Sequence, residues 1–150
     1  MNIKGKKSVD SIHKELGHVM WEYVGMGRTA EGLKEGLKKM KEIRKEFETN
    51  LFIPGDKEGM NVELDKAIRL YDFITMGELV AYDALNRDES CGGHFREEHQ
   101  TEEGEAKRDD KNFFYVGCWK YEGNDTAEPS LIKEPLEYEA IKVQTRNYKN

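Results

Sequence analysis

The sequence lacks most of what marks secreted, membrane-spanning or nucleic-acid-binding proteins. Its two cysteines, Cys91 and Cys118, stand far apart, so they fit a reduced, cytosolic setting better than a disulfide framework. No apolar run approaches the ~18 residues that a membrane-spanning helix needs. The opening MNIKGKKSVDS has no apolar core of the kind a signal peptide carries. Lys and Arg number 24 against 30 Asp and Glu, a net charge of -6. That balance argues against nucleic acid, whose phosphates call for clustered cations. Leu, Ile, Val and Phe together number 31 of 150, just above the level at which disorder becomes the default. The length suits one domain, but the core is thin for it. Some apolar surface is therefore expected to be buried against a partner, and part of the chain to lie as open loop.

What is present is mainly helical pattern. Residues 1–7 are basic and read as a frayed tail or a cut point. Residues 8–24 carry Val9, Ile12, Leu16, Val19, Met20 and Tyr23 on one helical face, with Ser8 as N-cap. Trp21 lies off that stripe. Residues 25–30, GMGRTA, form GxGxxA, a dinucleotide fingerprint that requires a strand before it. A helix precedes it here, so the reading is a helix–helix turn in which glycine supplies a positive φ and Thr29 caps the next helix. The second helix, to about residue 50, buries Leu33, Leu37, Met40, Phe47 and Leu51 and turns Lys and Glu outward. Asn61 caps the third, residues 62–86, which is apolar around most of its circumference and is expected at the centre. Gly77, Ala81 and Ala84 form a small-residue line on it. Tail strands from Phe113 onward, and other parts of a larger protein, are expected to cover that line.

The remainder is polar. Residues 96–111 have Ala106 as their one apolar residue and read as a surface loop or mobile segment. Residues 113–121 read as a strand, and 136–143 as a second, half-buried one. The expected fold is mainly α: an antiparallel three-helix bundle over 8–87, then a largely irregular tail over 88–150 with a few short β-strands.

The stretch at 85–98, LNRDESCGGHFREE, is where chemistry concentrates. Cys91, His94, His99 and Cys118 are zinc-ligand types, yet no second tight pair accompanies them. Cys91 and His94 would suit a thiolate and its base, but no oxyanion or substrate site can be read nearby. The favoured reading is a structural turn: Asp88, Glu89 and Arg96 pairing, glycines at unusual φ, and His94 hydrogen-bonded. A free-standing, possibly metal-dependent interaction module is the alternative from another class.

NRDESCGGHFREE followed by RDDKNF resembles the helix-to-tail junction of the flavoprotein subunit of succinate dehydrogenases and fumarate reductases, E-S-R-G-x-H and then R-D-D. MWEYVGMGRTAEGL is similar to that family's first helix–turn–helix, and KEPLEYEAIKVQTRNYK to its C-terminal tail, particularly in the form found in Bacteroidetes-like bacteria. Cys91 departs from the family's usual Arg. The resemblance implies that Glu89, Ser90, Cys91, Gly92, His94 and Arg96 form a junction of structural or inter-domain role. It implies no catalytic, cofactor-binding or metal residue within these 150 positions. FAD is implied in the full subunit, with its FAD and capping domains and an iron-sulfur subunit as partners. The implied activity is succinate–fumarate oxidoreduction, cytoplasmic and peripheral on the inner membrane, with this part inactive alone. L-aspartate oxidase, whose C-terminal domain shares the bundle and the junction, is the alternative within the superfamily; the long strand-bearing tail argues against it.

Thiol titration of the denatured, unreduced chain is expected to find both cysteines free. A value near zero would indicate a disulfide or a bound metal.

Overall fold

The computed structural model describes residues 4–55, 58–123 and 128–144. Three helices carry the core: α1 (Val9–Val24), α2 (Ala30–Asn50) and α3 (Val62–Asn86). A short parallel pair, β1 (Lys7–Ser8) with β2 (Leu51–Phe52), ties the start of α1 to the end of α2. A one-turn helix, α4 (Asp110–Phe113), leads into an antiparallel hairpin of β3 (Tyr115–Lys120) and β4 (Ser130–Pro135).

Each long helix starts where a side chain can take up a free first-turn amide. Ser8 Oγ accepts from Ser11 N–H at 3.2 Å, Thr29 Oγ1 from Gly32 N–H at 3.0 Å, and Asn61 Oδ1 from Leu64 N–H at 3.1 Å. The helical stripes read from the sequence then meet. Ile12, Leu16, Leu33, Met40, Phe47, Leu70 and Ile74 are buried in one cluster. Contacts along α1 and α3 run in the same sense: Asp10 pairs with Lys66 and His13 stacks on Phe73. The two are therefore parallel, with α2 antiparallel to both.

A buried charge joins α2 to α3. Arg44 forks onto Glu78, Nη2 to Oε2 at 2.7 Å and Nε to Oε1 at 3.1 Å, and also donates to Thr75 Oγ1 at 3.0 Å. Its guanidinium lies over the Tyr71 ring. The planar fork matches a carboxylate bidentately, which lets a charge sit in this interface.

Several expectations change. The chain just before α1 is held rather than frayed: Gly5 N–H donates to Leu51 O at 3.2 Å and Lys6 N–H to Asn50 Oδ1 at 3.0 Å. Residues 1–3 lie outside the described residues. The second strand is residues 130–135 instead of 136–143, where Tyr138, Ile141 and Val143 are exposed and alternation alone buries nothing. Residues 145–150, the end of the expected tail, lie outside the described residues. Of the Gly77–Ala81–Ala84 line, Gly77 faces the other helices, and Ala81 and Ala84 are buried in the helical core cluster. A Cβ on Gly77 would lie 3.2 Å from Met20 Sδ, 3.4 Å from Met40 Sδ and 3.7 Å from Leu16 Cδ1. The hairpin meets α3 at its end, where the Trp119 indole N–H donates to Asp83 at 2.7 Å and packs edge-on against Tyr82.

Gly77→Leu is expected to overfill the bundle and lower stability by about 1–3 kcal/mol. Gly77→Ala is expected to be near neutral, because flexible thioethers can yield and helix propensity improves by about 0.5–1 kcal/mol. Urea unfolding midpoints of both variants check this. A Leu variant as stable as the parent would mean that Gly77 does not face the bundle.

Candidate functional site

The junction after α3 is built from a tight turn. Cys91 and His94 exchange both backbone hydrogen bonds, N–H to O at 2.8 and 3.0 Å. Between them Gly92 has φ +59° and Gly93 is not left-handed, which fits a type II′ turn and its glycine at the first central position. Of the two glycines, then, one takes the unusual φ expected of both.

The turn aims the His94 ring back toward the bundle. Nε2 lies 2.8 Å from the Arg87 carbonyl, which can only accept, so Nε2 carries the proton. Nδ1 then accepts from Arg28 Nη1 at 2.8 Å. Burial pushes the His94 pKa down, and the nearby Arg28 and Arg96 charges push it further; the Arg87 carbonyl and Asp83 oppose them without reversing the shift. Neutral His94 is therefore the form this geometry holds.

Arg28 and Arg96 close two helix ends. Neither α1 nor α3 has a basic residue in its last turn, so their C-terminal carbonyls and the negative end of each dipole lack a local cation. Arg28 Nε donates to Val24 O and Gly25 O, both at 3.1 Å. Arg96, only 1 % exposed, sends Nη1 to Ala84 O at 3.1 Å. It also pairs with Asp88 and Glu98, each at 3.3 Å. The backbones join as well: Arg28 N–H donates to Phe95 O at 3.1 Å, and Glu97 N–H to Arg28 O at 2.8 Å. The α1–α2 turn and the junction are thus stitched together across the end of the bundle.

The other junction residues fasten the polar segment. Fully buried Ser90 donates to Arg96 O at 3.0 Å and accepts from Arg96 N–H at 2.8 Å, while its own N–H donates to Lys107 O. Buried Glu89 pairs with Arg87 at 2.9 Å and accepts from Asp109 N–H at 2.8 Å. Glu89 therefore pairs with Arg87 rather than Arg96. The E-S and R-D-D halves of the sequence pattern meet through these contacts. Residues 96–111 are ordered by backbone bonds, including Lys107 N–H to His99 O and Thr101 N–H to Glu105 O, in place of the apolar burial they lack.

Two chemical readings do not fit. His94 has both nitrogens engaged, and His99 Nε2 pairs with Asp88 at 2.7 Å. Among the described residues no group of three or more His, Cys, Asp or Glu is placed to hold a metal ion. With its ring occupied, His94 is not set to act as base for Cys91. GxGxxA does not fit a dinucleotide either. It follows α1, and the α2 amides a pyrophosphate would need are taken, Ala30 N–H by Glu98 Oε1 at 2.6 Å and Gly32 N–H by Thr29. The Glu98 carboxyl lies below its usual pKa: burial would raise it, but the donated backbone N–H groups and Arg96 outweigh that. Gly25 and Gly27 lack positive φ. Gly25 is needed for close approach, since a Cβ there would lie 2.5 Å from Trp21 O.

Sequence reasoning placed the junction but missed Arg28, Arg87 and Glu98 as its partners. The available signal was an arginine soon after α1 and α3, Arg28 and Arg87, helices whose last turns carry no cation.

This arrangement defines a helical bundle whose polar tail is clamped to one end. The family model described as fumarate reductase flavoprotein C-term matches residues 13–148, and the chain belongs to that family. It is 34 % identical over 135 residues to the fumarate reductase flavoprotein subunit of Proteus vulgaris, covering 89 % of this chain and 22 % of that protein. It is 38 % identical over 84 residues to an L-aspartate oxidase of Nicotiana tabacum, covering 56 % of this chain and 13 % of that one. A solved quinol-fumarate reductase with menaquinol molecules superposes with a TM-score of 0.78 at 25 % identity, over 95 % of this chain and 23 % of that chain. The chain thus spans about a fifth of the fumarate reductase relatives it matches.

Arg96→Met is expected to lose about 1.5–3 kcal/mol, the range for hydrogen bonds to a charged group. His94 sets a pH dependence. Its folded-state pKa lies below the ordinary ~6.5, so its contribution is complete above about pH 6.5 and is lost as pH falls through the lowered value. The gap between the urea midpoints of the parent and His94→Gln should therefore narrow on acidification from about pH 7.5 to 5. A gap that widens would contradict the neutral-histidine geometry.

Proposed function

We propose that this chain serves as the C-terminal supporting region of a flavoprotein subunit that interconverts succinate and fumarate. In that reading FAD and substrate are held by the FAD and capping domains, and electrons pass from FAD to an iron-sulfur subunit. The chain's own part is structural: Glu89, Ser90, Cys91, Gly92, His94 and Arg96 fix the tail to the bundle and present it to the rest of the subunit. The observation that carries the reading is the family match across both helices and tail, residues 13–148. The L-aspartate oxidase likeness is too short to include the bundle and the hairpin together, which favours the fumarate reductase side. Among the described residues no helix is long and apolar enough to cross a membrane. In this reading the subunit is peripheral, part of a complex on the cytoplasmic face of the inner membrane.

An antibody raised against this chain tests the proposal in extracts of the cells that make it. Immunodepletion is expected to remove flavin-containing protein together with viologen-dependent fumarate reduction. Loss of L-aspartate oxidation with fumarate reduction intact would replace the reading by its alternative, and loss of neither would overturn both.

A further inference from the structure

A cleft opens where the hairpin lies against the last turn of α3. Along β3, Tyr115, Gly117 and Trp119 alternate onto the face turned toward that helix. Gly117 brings no side chain to that face, so its two aromatic neighbours stand apart. The space left is about 140 Å³, bounded by Asp83, Asn86 and Arg87 of α3 and its cap and by Tyr115, Trp119 and Leu131 of the hairpin. A cavity of ~150 Å³ takes a benzene molecule. Both aromatic walls are fixed. The Trp119 indole N–H donates to Asp83 Oδ1 at 2.7 Å, and its ring stands edge-on to Tyr82 at 5.0 Å. Tyr115 O accepts from Arg87 Nη2 at 3.3 Å, and the Lys133 ammonium lies 4.4 Å from the Tyr115 ring centre.

The lining offers acceptors more than donors. Arg87 is engaged by Glu89 at 2.9 Å and by Tyr115 O. Asn86 Nδ2 donates to Tyr82 O at 2.8 Å, and among the described residues its amide oxygen accepts nothing. Asp83 makes no ion pair within 4 Å among the described residues, and its Oδ2 accepts no hydrogen bond there. A carboxylate oxygen and an amide oxygen beside aromatic walls suit a cationic group that donates hydrogen bonds and carries a flat or aliphatic body. A carboxylate ligand would meet Asp83 and find no uncommitted cation in the lining. We propose that this cleft binds a small organic cation, a primary ammonium or guanidinium of about benzene's bulk. Asp83 and Asn86 accept its N–H groups, and Trp119 and Tyr115 cover its body. The proposal is independent of the flavoprotein reading.

The Trp119 indole N–H resonance reads occupancy directly, because its acceptor, Asp83, is the proposed cation ligand. Methylguanidinium and n-propylammonium chlorides are titrated at millimolar concentration into the 150-residue chain, at constant chloride. At least one is expected to shift the resonance saturably, and sodium chloride is not. Asp83→Asn keeps an acceptor for the indole but removes the charge, and is expected to weaken binding about tenfold. Gly117→Val places a branched side chain in the cleft against Leu131 Cδ1, which a Cβ would meet at 3.1 Å. It is expected to abolish the saturable shift with the urea midpoint retained. Shifts that stay linear with both cations, a saturable response to acetate, or undiminished binding by Asp83→Asn would each overturn the proposal. A free amine and a lysine or arginine side chain carry the same group, and a longer protein containing this chain tells them apart. Saturable binding there as well marks a free ligand; binding to the 150-residue chain alone marks a cationic side chain already seated in the cleft.

Discussion

The fold depends on closing one end of a bundle whose helices do not close it themselves. α1 and α3 end without a basic residue in the last turn, so their carbonyls need a donor from elsewhere. Arg28 and Arg96 supply it, and His94 couples Arg28 to the turn that Cys91 and Gly92 make. A cationic donor on a helix C-terminus satisfies the orphan carbonyls and the dipole together. Because Arg28 lies between α1 and α2 and Arg96 beyond α3, the same contacts that cap two helices also fix the α1–α2 turn and the start of the tail.

This explains how a chain with few aliphatic residues keeps a long polar segment in place. The apolar cluster is confined to the three helices. Residues 87–111 add almost nothing to it and are held by Ser90, Glu89 and the backbone bonds around His99 and Lys107. Such a segment is specified by polar geometry, and each buried member is costly to leave unpaired. The bundle meanwhile keeps one face lined by Lys34, Lys38, Lys41 and Lys45 and one that exposes Trp21, Phe73, Met76 and Val80. That asymmetry suits a supporting region of a larger protein better than a free-standing module.

Much of this was legible in the sequence. Ser8, Thr29 and Asn61 announce three helix starts because capping is local chemistry, acting within one turn. The periodic stripes predicted which faces meet, and the E-S-x-G-x-H and R-D-D pattern located the junction. What failed was non-local. Arg28 and His94 are 66 positions apart, and no spacing rule joins them. Gly25 and Gly27 suggested left-handed backbone, whereas neither has positive φ and the need at Gly25 was for close approach to Trp21 O. LEYEAIKV alternates like a strand, but β3 pairs instead with the piece ending at Pro135. A proline at the end of a hairpin's outer strand withholds no inward hydrogen bond that the ladder needs.

The clamp's central role is tested most directly by native-state hydrogen exchange of two amides, Arg28 and Glu97, which bond across it at 3.1 and 2.8 Å. If the clamp closes the bundle, both should exchange with an opening free energy within about 1 kcal/mol of the slowest amides in α1 and α3, since they open only when the whole unit opens. Rapid exchange at both positions, with the helix amides still protected, would contradict the account.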